Sequence, residues 1–255
     1  MEHSALHAFE LVGQVIALGG VFLVVGLIQP AVRALAPDDN GNVLSLALQS
    51  SVERWIFRGA LIAAAATFLD LLVEVAEAQG KTVFGGLHLN LLEQFATETT
   101  VGRLELARIV VLLLTAGATQ LRGSFKWWLI GLGAFGAIFL TSMVSHSAAR
   151  PTGRWLGVTA QVAHITTAAL WLGILAQLLG ARSWIQGKAG RANAGLVAEI
   201  VLRFSPLALT VTSLLALSGL FMVVRLAGGL GGLLTSAYGL TLLVKMTLLA
   251  PALVA

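Results

Sequence analysis

A chain of 255 residues that is 57% hydrophobic and only 11% charged is not an ordinary soluble domain, in which about a quarter of residues carry charge; its composition is that of a membrane protein. The absence of cysteine excludes disulfides, thiolate metal sites, iron–sulfur clusters and covalently attached c-type haem, so any metal chemistry must use histidine, methionine or carboxylate. The formal net charge of +4 comes from basic residues scattered between apolar runs, with no basic stripe interleaved with aromatics, which excludes a nucleic-acid binder.

Only helices satisfy the backbone in lipid at this hydrophobicity, and each span needs about 20 mostly apolar residues. The sequence begins MEHSALHAFE, without the basic n-region of a cleaved signal peptide. Its opening Met-Glu-His offers the terminal amine, two amide nitrogens and the His3 ring to Cu(II) in a square plane, with His7 as a helper; the plainer reading is a frayed terminus. The first span is read at 9–35 and the second at 52–78, joined through the turn-rich APDDNGN of 36–42. The second ends in FLDLLVEVAEAQ, which sets Asp70, Glu74 and Glu77 on one helix face at i, i+4 and i+7. After AQGK at 78–81, the stretch 82–98 holds Leu87, Leu89, Leu91, Leu92 and Phe95 with Glu93 and Glu98 interposed. It reads as a short helix lying on the membrane surface.

The third span, 101–121, opens on VGRLELARIV with Arg103, Glu105 and Arg108; the fourth is 125–146. AARPTGR at 148–154 leads to a fifth span at 156–180, GKAGRANAG at 187–195 to a sixth at 199–226, and AGGLGG at 227–232 to a seventh at 237–255. That last run carries Lys245 beside Met246 and ends in LLAPALVA with no polar exit. The expectation is either a stop at the inner surface or a natural chain that continues past Ala255. Glycines inside spans, LGG at 18–20, GLGAFG at 131–136 and WLG at 171–173, are expected to let helices approach closely. Residues 1–255 therefore read as a single domain, an all-α polytopic transmembrane helix bundle of about seven spans. No Gly-rich phosphate loop, HExxH or nucleophile elbow is present, and no catalytic residue is expected.

Lys and Arg set orientation. With the N-terminus outside, nine basic residues fall near inner ends (Arg33, Arg54, Arg58, Arg122, Lys126, Arg182, Lys188, Arg191, Arg203) and six near outer ends (Lys81, Arg103, Arg108, Arg150, Arg154, Arg225). All five histidines, His3, His7, His88, His146 and His164, then lie on or open towards the outer face. His146 and His164 stand nine residues either side of Trp155, so two antiparallel helices joined there hold both imidazoles at similar depth, on the order of a turn or two below the outer surface. Met143 lies one turn before His146 on the same face. Two imidazoles and a thioether suit copper, the thioether selecting Cu(I); the alternative is a pair of interfacial histidines satisfied by neighbours. Met222, near the outer end of the sixth span, offers a further soft ligand or simple packing. Asp70, Glu74 and Glu105 form either an acidic cation funnel or second layer behind the histidines, or ion pairs with Arg103 and Arg108 that lock two helices together. The near balance of charges favours the pairing.

The stretches SHSAA, QVAHITTAALWLGILAQLL, RFSPLALTVTSLLALSGLF and YGLTLLVKMTLL, spread over roughly residues 95–255, resemble the copper-resistance protein D family of bacterial inner-membrane proteins. The matching positions are His146, Ser147, Ala148, His164, Trp171, Gly173, Arg203, Phe204, Ser205, Tyr238, Gly239 and Lys245. The resemblance implies copper homeostasis, movement of copper across the inner membrane, a periplasmic copper-binding partner and about eight spans in a complete protein.

Three functions follow for test. The first is a copper-binding membrane protein that takes copper from the outer side at His146, His164 and Met143 and moves it inward. The second is a b-type haem electron-transfer protein with His146 and His164 as axial ligands, room for the ring being left by Gly157, about two turns before His164. The third is a structural subunit of a larger membrane complex.

Overall fold

The computed structural model describes residues 2–35, 39–80, 89–145, 153–182, 187 and 194–226, the side chains of 2–4, 39–41, 89, 225 and 226 excepted. Helix α1 runs over Glu2–Phe22, loosens to a π-helix over Leu23–Ile28 and resumes over Gln29–Leu35. Then come α2 (Asp39–Ala78), α3 (Leu89–Glu98), α4 (Thr100–Ala118) and α5 (Phe125–Val144). Helix α6 covers Arg154–Ala168, a π-helical turn at Ala169–Gly173, and Ile174–Gly180; α7 is Ala194–Leu226. The described residues contain no strand, and the chain is an all-α bundle.

Five of these helices are long and apolar enough to cross a membrane: Ala5–Leu35, Asn42–Ala78, Phe125–Val144, Arg154–Gly180 and Ala194–Val224. The third expected span, 101–121, corresponds to α4, whose first half carries Arg103, Glu105 and Arg108 and which packs between α2 and α5. The seventh, 237–255, lies outside the described residues. The connection expected at 36–42 is shorter than that: α2 starts at Asp39, and Leu44 and Leu48 already bury themselves in the core. Apolar packing extends the helix through a stretch whose turn residues alone argue for a loop. Of the stretch 82–98 expected as a surface helix, Leu89–Glu98 forms α3, with Leu91, Leu92, Phe95 and Ala96 turned inward and Asn90, Glu93, Gln94 and Thr97 outward, while 82–88 lie outside the described residues.

Helix α1 is the centre of the bundle, packed on α2, α5 and α6. Glycine makes this possible. A Cβ on Gly13 would overlap the carbonyl oxygen of Gly59 in α2, and one on Gly19 would lie 2.5 Å from the carbonyl oxygen of Ala169 in α6. Such small-residue contacts let backbones meet where lipid offers no hydrophobic drive between helices. The π segment of α1 ends just before Pro30. Proline has no N–H and its ring crowds the carbonyl four residues back, and the ladder widens there, the Gln29 N–H reaching the Val24 carbonyl. Large apolar side chains on the outside, such as Leu114, Trp128, Leu132 and Leu209, form the surface that lipid covers. Helix α7 buries a stripe of Leu196, Ile200, Phe204 and Val211, the spacing of one helix face, and packs chiefly on α6.

Two tight turns set the register of the bundle end that carries the polar residues. Gly80, at φ +66°, ends α2 in the left-handed conformation that costs glycine nothing. Between α3 and α4, Thr99 caps α4 by accepting from the Gly102 N–H at 2.9 Å, and a side chain at Gly102 would overlap the Phe95 carbonyl.

Candidate functional site

Successive long helices run antiparallel, so the starts of α1, α4 and α6 and the ends of α2, α5 and α7 share one end of the bundle. That end gathers the chemistry in two groups. The first lies on α6 and α7. His164 is half-buried, and its Nδ1 lies 3.1 Å from the Ser218 hydroxyl. The Ser218 hydroxyl donates to the Leu215 carbonyl at 3.0 Å. With the serine proton directed there, Nδ1–H donates to Ser218, and Nε2 holds the ring's lone pair. Gly219 allows this contact, since a Cβ there would sit 3.3 Å from His164 Cε1. Met222, one turn beyond Ser218, is buried. Met143 is half-buried on the last turn of α5. His146 lies outside the described residues, as does His88, so the convergence of His146 with His164 is not visible.

The second group is a buried ion network. Arg108 of α4, 2% exposed, donates from Nη2 to Glu10 Oε1 of α1 at 2.7 Å and to Glu105 Oε2 one turn away. Its Nη1 donates to the Thr141 hydroxyl of α5 at 3.2 Å. Thr141 in turn exchanges hydrogen bonds with the Gln14 side chain, at 2.9 and 3.2 Å. Glu10, Gln14, Glu105 and Thr141 are all buried. Asp70 and Glu74, half-buried on α2, lie within electrostatic reach of Glu105. His7, exposed on α1, places Nδ1 3.1 Å from Glu10 Oε2. His3 belongs to the first turn of α1; its side chain is outside the description.

Of the expected ion pairs, Glu105 with Arg108 is present, while the exposed Arg103 turns its Nε to the Thr99 carbonyl at 3.3 Å. Sequence reasoning missed Glu10, Gln14 and Thr141. The signal was there: Glu10 and Gln14 stand four residues apart in FELVGQVIA, one polar face in an apolar span, and ionisable groups inside spans are rare and functional. Among the described residues no group of three or more histidines or carboxylates converges as a metal site. At the opposite end, Lys126 of α5 pairs with Glu53 of α2 at 2.6 Å. This pair lines a cavity of about 630 Å³ that also takes in Gln29, Gln49, Ser50 and Trp127.

Comparison with known proteins then assigns the family. Residues 5–155 match the N-terminal domain of copper resistance protein D-like proteins, and residues 198–255 match copper resistance protein D. The chain is 33% identical over 127 residues to the copper transport protein CutJ of Bacillus subtilis (strain 168). That alignment covers 48% of this chain and 22% of the relative, so the chain spans only a fraction of that protein's length. No solved structure matches the chain. A membrane-embedded helical bundle matched across both of these regions belongs to the copper resistance protein D family.

Proposed function

We propose that this chain receives copper at the periplasmic face of a bacterial inner membrane and moves it inward, as a carrier in copper homeostasis and not as an enzyme. The family match at both ends of the chain carries the reading, and the name of the relative, a copper transport protein, agrees with it. The receiving site is His164 with Met143 and His146, opened at the bundle end where α5, α6 and α7 meet; Met222, His7 and His3 are further donors on that side. The hydrogen bond that His164 Nδ1–H donates to Ser218 supports His164 as a ligand, because metal-binding imidazoles use the second nitrogen to fix tautomer and ring orientation. Thioether beside imidazole favours Cu(I) over harder cations. The N-terminus lies outside in this arrangement, and a periplasmic copper-binding protein delivers the cargo. Release is on the opposite side, where the cavity beside Glu53 and Lys126 opens.

Elemental analysis and an absorption spectrum on one detergent-purified sample test this. Wild type is expected to hold stoichiometric copper and show no Soret band. His146→Ala/His164→Ala loses the copper, and Ser218→Ala weakens copper binding by roughly 10- to 100-fold. A Soret band lost in the double variant overturns the copper reading in favour of haem b. Neither copper nor haem in the wild type favours a structural subunit.

A further inference from the structure

Helix α2 carries two arginines that the copper reading does not use. Arg54 and Arg58 stand four residues apart, both exposed, on one face of the helix. Neither makes a hydrogen bond or an ion pair among the described residues. They line a cavity of about 370 Å³ between α2 and the turn that follows α4. It lies beside the cavity at Lys126 and shares Ser50 and Glu53 with it. Like charges one helical turn apart repel, so the pair calls for an anion.

The acids of the chain do not supply one. Glu53, the acid that lines the cavity, is held by Lys126 at 2.6 Å, and Glu199 by Arg203 at 2.7 Å. Glu2, Glu10, Asp70, Glu74, Glu77, Glu93, Glu98 and Glu105 belong to the opposite half of the bundle. Asp39 begins α2, some 15 residues before Arg54 and so about 22 Å away along the helix; Asp38 is its neighbour in the sequence. Those are all 12 acidic residues of the chain. A neutral donor completes the wall: Gln120 gives one amide N–H to the Thr119 hydroxyl at 3.0 Å, which leaves the other for a ligand.

The depth of the cavity identifies the anion. Helix α5 has 20 residues, Phe125–Val144, and its length of about 30 Å equals the hydrocarbon thickness of a bilayer. Lys126 lies in its first turn and meets Glu53, so Glu53 and Arg54 stand at the headgroup boundary. Trp55 and Trp128 are exposed at the same level, as interfacial aromatics are. Arg58, one turn deeper, reaches that boundary by extending its side chain. Phe57 lines the cavity, and Leu61 and Ile62 are exposed one turn beyond Arg58, an apolar path for acyl chains. We propose that Arg54, Arg58 and Gln120 bind the phosphate of an anionic phospholipid, whose acyl chains lie along the apolar surface of α2.

Native mass spectrometry of the full chain in detergent, titrated with phosphatidylglycerol or with phosphatidylcholine of the same acyl chains, tests this. The choline lipid offers the same phosphate with a cation of its own, which two guanidiniums repel. Wild type is expected to hold one phosphatidylglycerol about tenfold or more tighter than phosphatidylcholine, and Arg54→Gln/Arg58→Gln to lose that preference. Arg122→Gln removes an exposed charge from the same end but not from the cavity wall, and is expected to bind as wild type does. Inorganic phosphate at the lipid concentration is expected to leave the bound lipid in place. A wild type without preference, a double variant that keeps it, or an Arg122→Gln variant that loses as much as the double variant overturns the proposal. Displacement by inorganic phosphate overturns it too, in favour of a free anion. The substituted side chains are exposed, so the variants keep the fold. Detergent opens both ends of the bundle and no arm contains copper, so this result is independent of the orientation and of the copper reading.

Discussion

Arg103 and Arg108 stand on one helix, and the sequence offers both the same acidic partners. The fold treats them oppositely: Arg103 is exposed, whereas Arg108 is 2% exposed and holds Glu10, Glu105 and Thr141. Removing one member of a buried ion pair leaves its partners charged and dry, which costs about 3–5 kcal/mol. Arg108→Ala is therefore expected to lower the thermal unfolding midpoint in detergent sharply, with Arg103→Ala close to wild type. Equal midpoints for the two variants would remove the structural weight given to the network. The Glu105–Arg108 pair was legible in VGRLELARIV, because residues three apart share a helix face. Glu10 was not legible as its second acid, since it comes from the other end of the chain's first hundred residues and only packing brings it there.

Among elements, the contacts of α1 decide how closely the bundle closes. The glycines of LGG and WLG pointed to close packing, and Gly19 and Gly173 do meet where α1 crosses α6. The pair that seats α1 on α2, Gly13 with Gly59, carried no such mark. Three substitutions separate crossing glycines from incidental ones. Gly13→Ala drives a Cβ into the Gly59 carbonyl and is expected to cost about 1–3 kcal/mol. Gly59→Ala finds the Gly13 carbonyl oxygen at 3.2 Å and the Ile16 side chain at 3.3 Å, so its cost is smaller. Gly117→Ala on α4 meets nothing within 4 Å and is expected to stabilise by about 0.4–1 kcal/mol. Unfolding midpoints in that rising order, Gly13→Ala below Gly59→Ala below Gly117→Ala, support these helix crossings; any other order contradicts them. The early start of α2 at Asp39 belongs to this scale as well, for Leu44 and Leu48 gain a buried partner that turn propensity cannot register.

For the whole molecule, the alternation of helices puts α3 and the polar cluster at one end and the Glu53–Lys126 pair at the other. The proposed orientation sets the first end outside. A chain without cysteine allows a direct check with single-cysteine variants at exposed positions. In spheroplasts, a membrane-impermeant maleimide is expected to label Thr97→Cys on α3 and to spare Ser124→Cys before α5; the opposite pattern reverses the topology. Composition, apolar run length and turn residues by themselves determined that this is a helical membrane bundle, and the motifs around His164 and Arg203 determined its family. These are local properties, fixed by the solubility of side chains in lipid and by backbone hydrogen bonds that each helix satisfies alone. Only the tertiary structure decided that α1 is the centre, that Ser218 holds His164, and that two glutamates share one arginine. The His164–Ser218 and Glu10–Arg108 contacts join residues 54 and 98 positions apart, and they exist because helix crossing angles and close glycine contacts, not sequence neighbours, choose which side chains meet.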